Sequence, residues 1–161
     1  MNHLIQETCK KSSDTDPNIS LNFCISSLEA DPSSHSMRLS LTKLGLISMN
    51  LTRNNVTETR VYIKHLLKKK KIDRYIIECL KDCLELYSDA ITTVEEAIGD
   101  YRRKRYVDSN AKVSSVLDAS STCEDGFKEN SRRVVSPLTK RNNHTFQLSA
   151  IALSITDMVR E

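Results

Sequence analysis

Five cysteines, Cys9, Cys24, Cys79, Cys83 and Cys123, are the residues of this chain best suited to covalent chemistry, and their number is odd. A thiol can attack a substrate, hold a metal or form a crosslink. Cys79 and Cys83 stand one helical turn apart and would make half a zinc site, but no comparable second pair completes it. His3, His35, His65 and His144 are scattered, with no partner at metal-ligand spacing, and read as exposed or capping side chains. There is no glycine-rich phosphate loop, no G-x-S-x-G elbow and no carboxylate pair at di-iron spacing. The sequence therefore predicts no catalytic residue, no metal and no cofactor. What remains for the cysteines is crosslinking.

The elements that must position them are helical. Leu80, Leu84, Tyr87, Ile91, Val94, Ile98 and Tyr101 recur at alternating steps of four and three, which places them on one stripe of a helix over 73–103. Asp73 caps its start, and its length is roughly 45 Å at 1.5 Å per residue. Its acidic residues fall largely off that stripe, where water solvates them. A helix this long and one-sided needs partner helices, and Cys83 on its apolar face offers a covalent tie to one of them.

The preceding chain starts with a short turn or two at Leu4, Ile5, Thr8 and Cys9. Asp16-Pro17 reads as an N-cap with proline at the first helical position, opening a helix with Leu21, Cys24, Ile25 and Leu28 on its apolar face. Asp31-Pro32 repeats the device. Residues 1–31 thus form a helical hairpin that Cys9 and Cys24, one on each arm, could close; such a crosslink is worth about 3 kcal/mol. From 33 to 69 the spacing predicts one bent helix burying Leu44, Ile47, Leu51, Tyr62, Ile63, Leu66 and Leu67, with a kink in the polar, β-branched 52–60.

Beyond the 73–103 helix, 107–130 presents Tyr106, Val113, Val116, Leu117, Ser120, Cys123 and Phe127 on one face. A loop at 131–143 leads to a last helix, 143–160, with Leu148, Ile151, Ala152, Ile155, Met158 and Val159 inward. The fold class is all-α: an up-down-up-down four-helix bundle over 32–161 with the hairpin as an extension, one domain over 1–161. Cys83 and Cys123 lie at similar heights on consecutive antiparallel helices and could bond. Cys79 is left as a free thiol.

With 24 basic and 21 acidic side chains the net charge is +3, spread along the chain, which argues against a dedicated nucleic-acid binder. The four lysines at 68–71 read first as a solvated helix end that complements the dipole, and second as a docking patch for an acidic partner. No apolar run approaches a membrane span, and the opening residues lack the apolar core of a signal peptide, so any signal is either already removed or was never there. Sequons at Asn18, Asn50, Asn55 and Asn143 are possible N-glycosylation sites, although two of them fall within a predicted helix. Together with the cysteines they point to an oxidising, extracellular setting.

Asp82-Cys83-Leu84-Glu85-Leu86-Tyr87-Ser88-Asp89-Ala90 on the long helix, and Thr122-Cys123-Glu124-Asp125-Gly126-Phe127 on the next, resemble the signatures of the plant invertase/pectin methylesterase inhibitor family. The resemblance spans essentially the whole chain. It implies disulfides Cys9–Cys24 and Cys83–Cys123, secretion to the apoplast, and blockade of a cell-wall invertase or pectin methylesterase by a protein that is not itself an enzyme. Invertase inhibitors of the family carry Pro-Lys-Phe at the turn between the two crosslinked bundle helices. Here Tyr106-Val107-Asp108 stands in that place, so no inhibitory residue carries over from that motif.

The partner surface is expected around that turn, at Arg102, Arg105, Tyr106 and Asp108, where cations and an aromatic ring would meet an acidic, sugar-binding cleft. A monomer is expected, with a dimer through Cys79 as the variant. A competing reading from another class is a non-inhibitory carrier that holds a small apolar ligand between the helices.

Overall fold

The computed structural model describes residues 2–69, 71–129 and 134–161. Among the described residues there are six α-helices and no strand. The order is α1 (His3–Thr15), α2 (Leu21–Ala30), a 3-10 turn at Pro32–His35, α3 (Leu41–Leu67), α4 (Arg74–Arg102), α5 (Tyr106–Lys128) and α6 (Thr139–Val159). In the bundle α3 packs on α4, α4 on α5, α5 on α6 and α6 back on α3, while the diagonal pairs touch only through side chains that reach across the core, as Tyr87 of α4 does to Asn142 of α6. The ring is therefore closed, with α3–α6 and α4–α5 on opposite sides.

Several helix ends differ from the sequence expectation, each for a local reason. The first helix extends through 10–15 because Ser12 is buried, sharing a 2.8 Å hydrogen bond with Ser154 Oγ, while the Ser13 and Thr15 hydroxyls donate back to Lys10 and Lys11 carbonyls. Asp16 does not open α2. It ends α1, and its carboxylate accepts from Asn18 N in an Asx turn. Ser20 is the true N-cap, accepting from Phe23 N. Asp31 and Pro32 start only the 3-10 turn, and α3 begins at Leu41 behind Ser40.

No break interrupts α3 at 52–60. The Thr52, Thr57 and Thr59 hydroxyls donate to the carbonyls four residues back, so these side chains need no other polar partner, and the small Thr52 and Thr59 pack fully buried. Tertiary burial outweighs their weak helix propensity. Lys68 ends α3; Lys70 of the lysine run lies outside the described residues, as do 130–133 of the expected α5 end and following loop. The last helix starts at Thr139 rather than near Asn143, because Leu138 and Asn142, one turn apart, are both buried and draw that turn onto the bundle.

Leu80, Tyr87, Val94, Ile98 and Tyr101 of the α4 stripe are buried, with Leu84 and Ile91 packed at its margin. Towards the α3–α4 end of the bundle the core gathers Val56, Ile63, Leu80, Tyr87, Phe127 and Leu138. At the opposite end Met49, Ile98, Tyr101 and Val113 form a second cluster. The hairpin joins a third, in which Ile5, Cys9, Ile19, Cys24 and Leu28 meet Leu44, Ile47, Ile151 and Ile155. Gln147 clamps its loop to α6, donating to Asn18 O at 2.6 Å and accepting from Ser20 N at 2.9 Å. The hairpin thus covers part of the α3–α6 side, reaches α5 only at Leu117 and leaves the groove between α4 and α5 uncovered.

Candidate partner-binding face

Two disulfides fix the frame. Cys9–Cys24 ties α1 to α2, and Cys83–Cys123 ties α4 to α5 with Cα atoms 5.0 Å apart. Cys79 is a free thiol, buried against Gly126, whose carbonyl also accepts from Tyr75 Oη at 2.6 Å. Burial pushes the Cys79 thiol pKa up, which makes it a poor nucleophile.

Residues of the two signature stretches take part in one polar layer, buried at Tyr87, Asn142 and Thr145 and reaching the surface at Glu124 and Thr139. Tyr87 Oη donates to Asn142 Oδ1 at 2.5 Å and lies 3.1 Å from Thr145 Oγ1; burial pushes its phenol up to about 12. Asn142 Nδ2 donates to Glu124 Oε1 at 2.9 Å and to Cys123 Sγ at 3.3 Å, and Thr139 Oγ1 donates to Glu124 Oε2 at 2.6 Å. Asn55 Nδ2 adds α3 by donating to Thr145 Oγ1 at 2.6 Å. All four bundle helices meet here, around the Cys83–Cys123 crosslink. Burial tends to raise the Glu124 carboxyl, but hydrogen bonds from Thr139, Asn142 and Ser136 and the Lys128 charge outweigh it and hold the carboxyl below its ordinary range.

The outward residues of the same stretches border a groove between α4 and α5. It has a volume of about 260 Å³, with Leu86, Asp89, Ala90, Thr93, Asp118 and Thr122 among its lining. Asp82, Glu85, Asp89 and Asp118 are exposed along this side, and none is in an ion pair among the described residues. Small residues at the floor let the two backbones run close; acids at the rim give the face its sign. Sequence reasoning put the α4 acids in water without seeing that α5 adds Asp118 across the groove. The signal was present in the outward positions of the first signature stretch, and Thr122 of the second lies one turn beyond Asp118.

At one end of this face the structure brings Arg102, Arg105, Tyr106 and Asp108 together in the α4–α5 turn. The two arginines and the aspartate are exposed, while Tyr106 is half-buried with its ring edge-on to Tyr101 at 5.3 Å. The turn is rigidly held: Lys104 N donates to Tyr101 O and Arg105 N to Asp100 O, a Schellman motif with Lys104 at φ 61°. Buried Asp100 pairs with Lys112, and this hydrogen bond, more than the neighbouring acids, raises the lysine's pKa. Ser109 Oγ donates to Ala97 O at 2.9 Å. Val107 is exposed beside the arginines.

Of the sequons, Asn18 and Asn143 are exposed, whereas Asn50 and Asn55 lie half-buried within α3. Asn55 Nδ2, the atom a glycan would occupy, is already engaged with Thr145. Among the described residues no group of His, Cys, Asp and Glu is placed to hold a metal ion, and no helix is long and apolar enough to cross a membrane.

A crosslinked four-helix bundle with a disulfide-closed helical hairpin at its N-terminus matches the family described as "Plant invertase/pectin methylesterase inhibitor" over residues 3–155. The chain belongs to that family. It is 44% identical over 156 residues to a Platanus acerifolia protein named "Putative invertase inhibitor", covering 97% of this chain and 85% of the relative. It is 34% identical over 156 residues to "Pectinesterase inhibitor 12" of Arabidopsis thaliana, covering 97% and 87%. A crystal structure of a mutant form of an Arabidopsis pectin methylesterase inhibitor superposes with a TM-score of 0.78 over 98% of this chain and 97% of its own, at 24% identity, and shares the fold.

Proposed function

We propose that this protein is a secreted, extracellular inhibitor of a plant cell-wall carbohydrate enzyme, with invertase as the first target, and that it blocks the enzyme by covering its cleft without chemistry of its own. The observation that carries this reading is the placement of the hairpin: it lies on the α3–α6 side and reaches α5 only at Leu117, so the α4–α5 groove, pinned by Cys83–Cys123, stays open. A face already rigid loses little entropy on binding. Its acidic rim would steer a basic enzyme surface, and Arg102, Arg105, Val107 and Asp108 would extend the contact around the turn. Residues 1–161 act as one unit and as a monomer, since Cys79 is too buried to crosslink copies. Glycans, where present, belong on Asn18 and Asn143. The disulfides suit an oxidising, extracellular compartment.

Pectin methylesterase is the second target, favoured because the α4–α5 turn carries Tyr106-Val107-Asp108 in place of Pro-Lys-Phe and its Tyr106 is half-buried against Tyr101. The test is inhibition of purified plant cell-wall invertase and pectin methylesterase, side by side, by the intact protein and by Asp89→Lys/Asp118→Lys. The intact protein should inhibit one of them, and the double reversal should weaken that inhibition about tenfold or more. Inhibition of neither enzyme by folded protein would overturn the proposal and revive the carrier reading. Unchanged inhibition by the variant would move the contact off the groove.

A further inference from the structure

The charge on this bundle is strongly sided. Helices α4 and α5 carry eleven carboxylates against five basic side chains, while α3 and α6 carry two carboxylates, Glu58 and Asp157, against six basic ones. The hairpin covers α3 and α6 around Leu44, Ile47 and Ile151–Ile155, leaving their other halves open. There, a cleft of about 450 Å³ is lined by Thr57, Glu58, Val61, Tyr62, His65 and Arg141. The Arg141 guanidinium carbon sits over the Tyr62 ring, 4.2 Å from its centroid, a cation–π contact that holds the group at the cleft and leaves its N–H donors for an incoming carboxylate.

Val61, Lys64, His65 and Lys68 follow at helical spacing on one exposed stripe of α3, a track of roughly 10 Å at 1.5 Å per residue. Lys140 is exposed beside Arg141. None of Lys64, Lys68, Lys140 and Arg141 is in an ion pair among the described residues. The positive field is felt nearby: after burial, Lys140 and Arg141 are what push the His144 imidazole pKa down.

We infer that this cleft is a second binding site, one that takes an acidic polysaccharide with a carboxylate on each sugar ring, a polyuronate. Cations strung along a helix suit a linear polymer of evenly spaced carboxylates, with Arg141 making the oriented bidentate contact and the lysines acting as point charges. The Val61 methyls, 62% exposed, give the apolar face of one sugar ring a surface between them. A nucleic acid is a poorer match, since Arg141 already covers the Tyr62 ring on which a base would stack. Because the cleft and the α4–α5 groove are on opposite sides of the ring, both can be filled at once. Polymer binding needs no inhibitory activity; its use to the protein rests on the function proposed above. A pectin methylesterase converts neutral esters on pectin into carboxylates, so the site would hold the inhibitor on polymer where such an enzyme has acted.

The experiment is titration of the full chain with polygalacturonate, with fully methyl-esterified pectin of similar length and with duplex DNA, at about 50 mM salt where surface charges are only partly screened. It compares the intact protein, Lys64→Gln/Lys68→Gln/Arg141→Gln, and Arg102→Gln/Arg105→Gln. The expected result is binding to polygalacturonate and much weaker binding to the ester and to DNA. The triple variant should lose about tenfold, as three exposed charge contacts each worth two- to threefold would give, and the Arg102/Arg105 pair should bind as the intact protein does. No binding of polygalacturonate, equal binding of the ester or of DNA, or a loss in the Arg102/Arg105 variant without one in the triple variant would overturn the inference. Inhibition assays on the same samples separate the two readings: polymer binding by a protein that inhibits neither enzyme would support this site and sink the inhibitor proposal.

Discussion

Removing the Tyr87 hydroxyl tests whether the buried polar layer, as well as the disulfide, holds the bundle in register. Tyr87 is fully buried, and in Tyr87→Phe the ring still fills its place, so no cavity opens. What is lost is the 2.5 Å bond to Asn142 Oδ1, which leaves a buried amide oxygen without that donor. The cost of such a change is roughly 1–3 kcal/mol. Asn142→Leu keeps the branched outline, with somewhat larger volume, but deletes the bonds to Tyr87, Glu124 and Cys123, and should cost at least as much. In the double variant neither polar group remains to be left unpaired, so the two costs should fall short of additive by about 1–2 kcal/mol. Urea unfolding followed by far-UV circular dichroism measures this, with the slope unchanged across the set. Additivity within about 0.5 kcal/mol, or a Tyr87→Phe variant as stable as the parent, would refute the reasoning. Glu124 adds a pH limb. Its folded pKa lies below its unfolded one, so its stabilisation is present above the unfolded glutamate value and is lost as pH falls through the lower folded value. Asn142→Leu removes one cause of that shift, so the gap between parent and variant should narrow as pH falls through this window.

Lys104→Gly should stabilise the protein by about 0.5–1 kcal/mol, because glycine adopts the left-handed conformation at φ 61° without steric cost; a thermal midpoint no higher than the parent's would contradict this. Gly45→Ala should destabilise by about 1–2 kcal/mol despite its better helix propensity, since the new methyl would meet the Tyr101 hydroxyl and lie 2.8 Å from Tyr101 Cζ, on a ring held by its bond to Thr42 O; an unchanged urea midpoint would show that the ring yields freely. Replacing Cys83 and Cys123 together by serine should cost about 4 kcal/mol, against about 3 kcal/mol for Cys9 and Cys24, on loop length alone. Only the first pair should also weaken inhibition at temperatures where the protein stays folded, since only it pins the α4–α5 face; equal loss from both would put the contact elsewhere.

The sequence by itself determined the helices and their order. Period and capping are local: the stripe from Leu80 to Tyr101 and the Asp73 cap place α4 whatever it packs against. The inward faces of α5 and α6 were legible wherever they were apolar. Legibility stopped where a polar side chain sits at a core position. Asn142, Thr145, Ser149 and Thr156 recur on α6 at the same spacing as its apolar residues and are all buried, yet the sequence reading left Asn142 in a loop and the other three off the inward face. The unbroken α3 is the same case, since threonine is a weak helix former until its hydroxyl finds the carbonyl one turn back and its small side chain finds a neighbour to pack on. Only the tertiary structure decided which side of the ring the hairpin covers, and with it which acids share an open groove and which cations share a cleft. Those choices depend on the shapes and hydrogen bonds of surfaces far apart in the chain, such as Gln147 against the 16–20 loop and Arg141 against Tyr62. Local periodicity carries no information about such meetings.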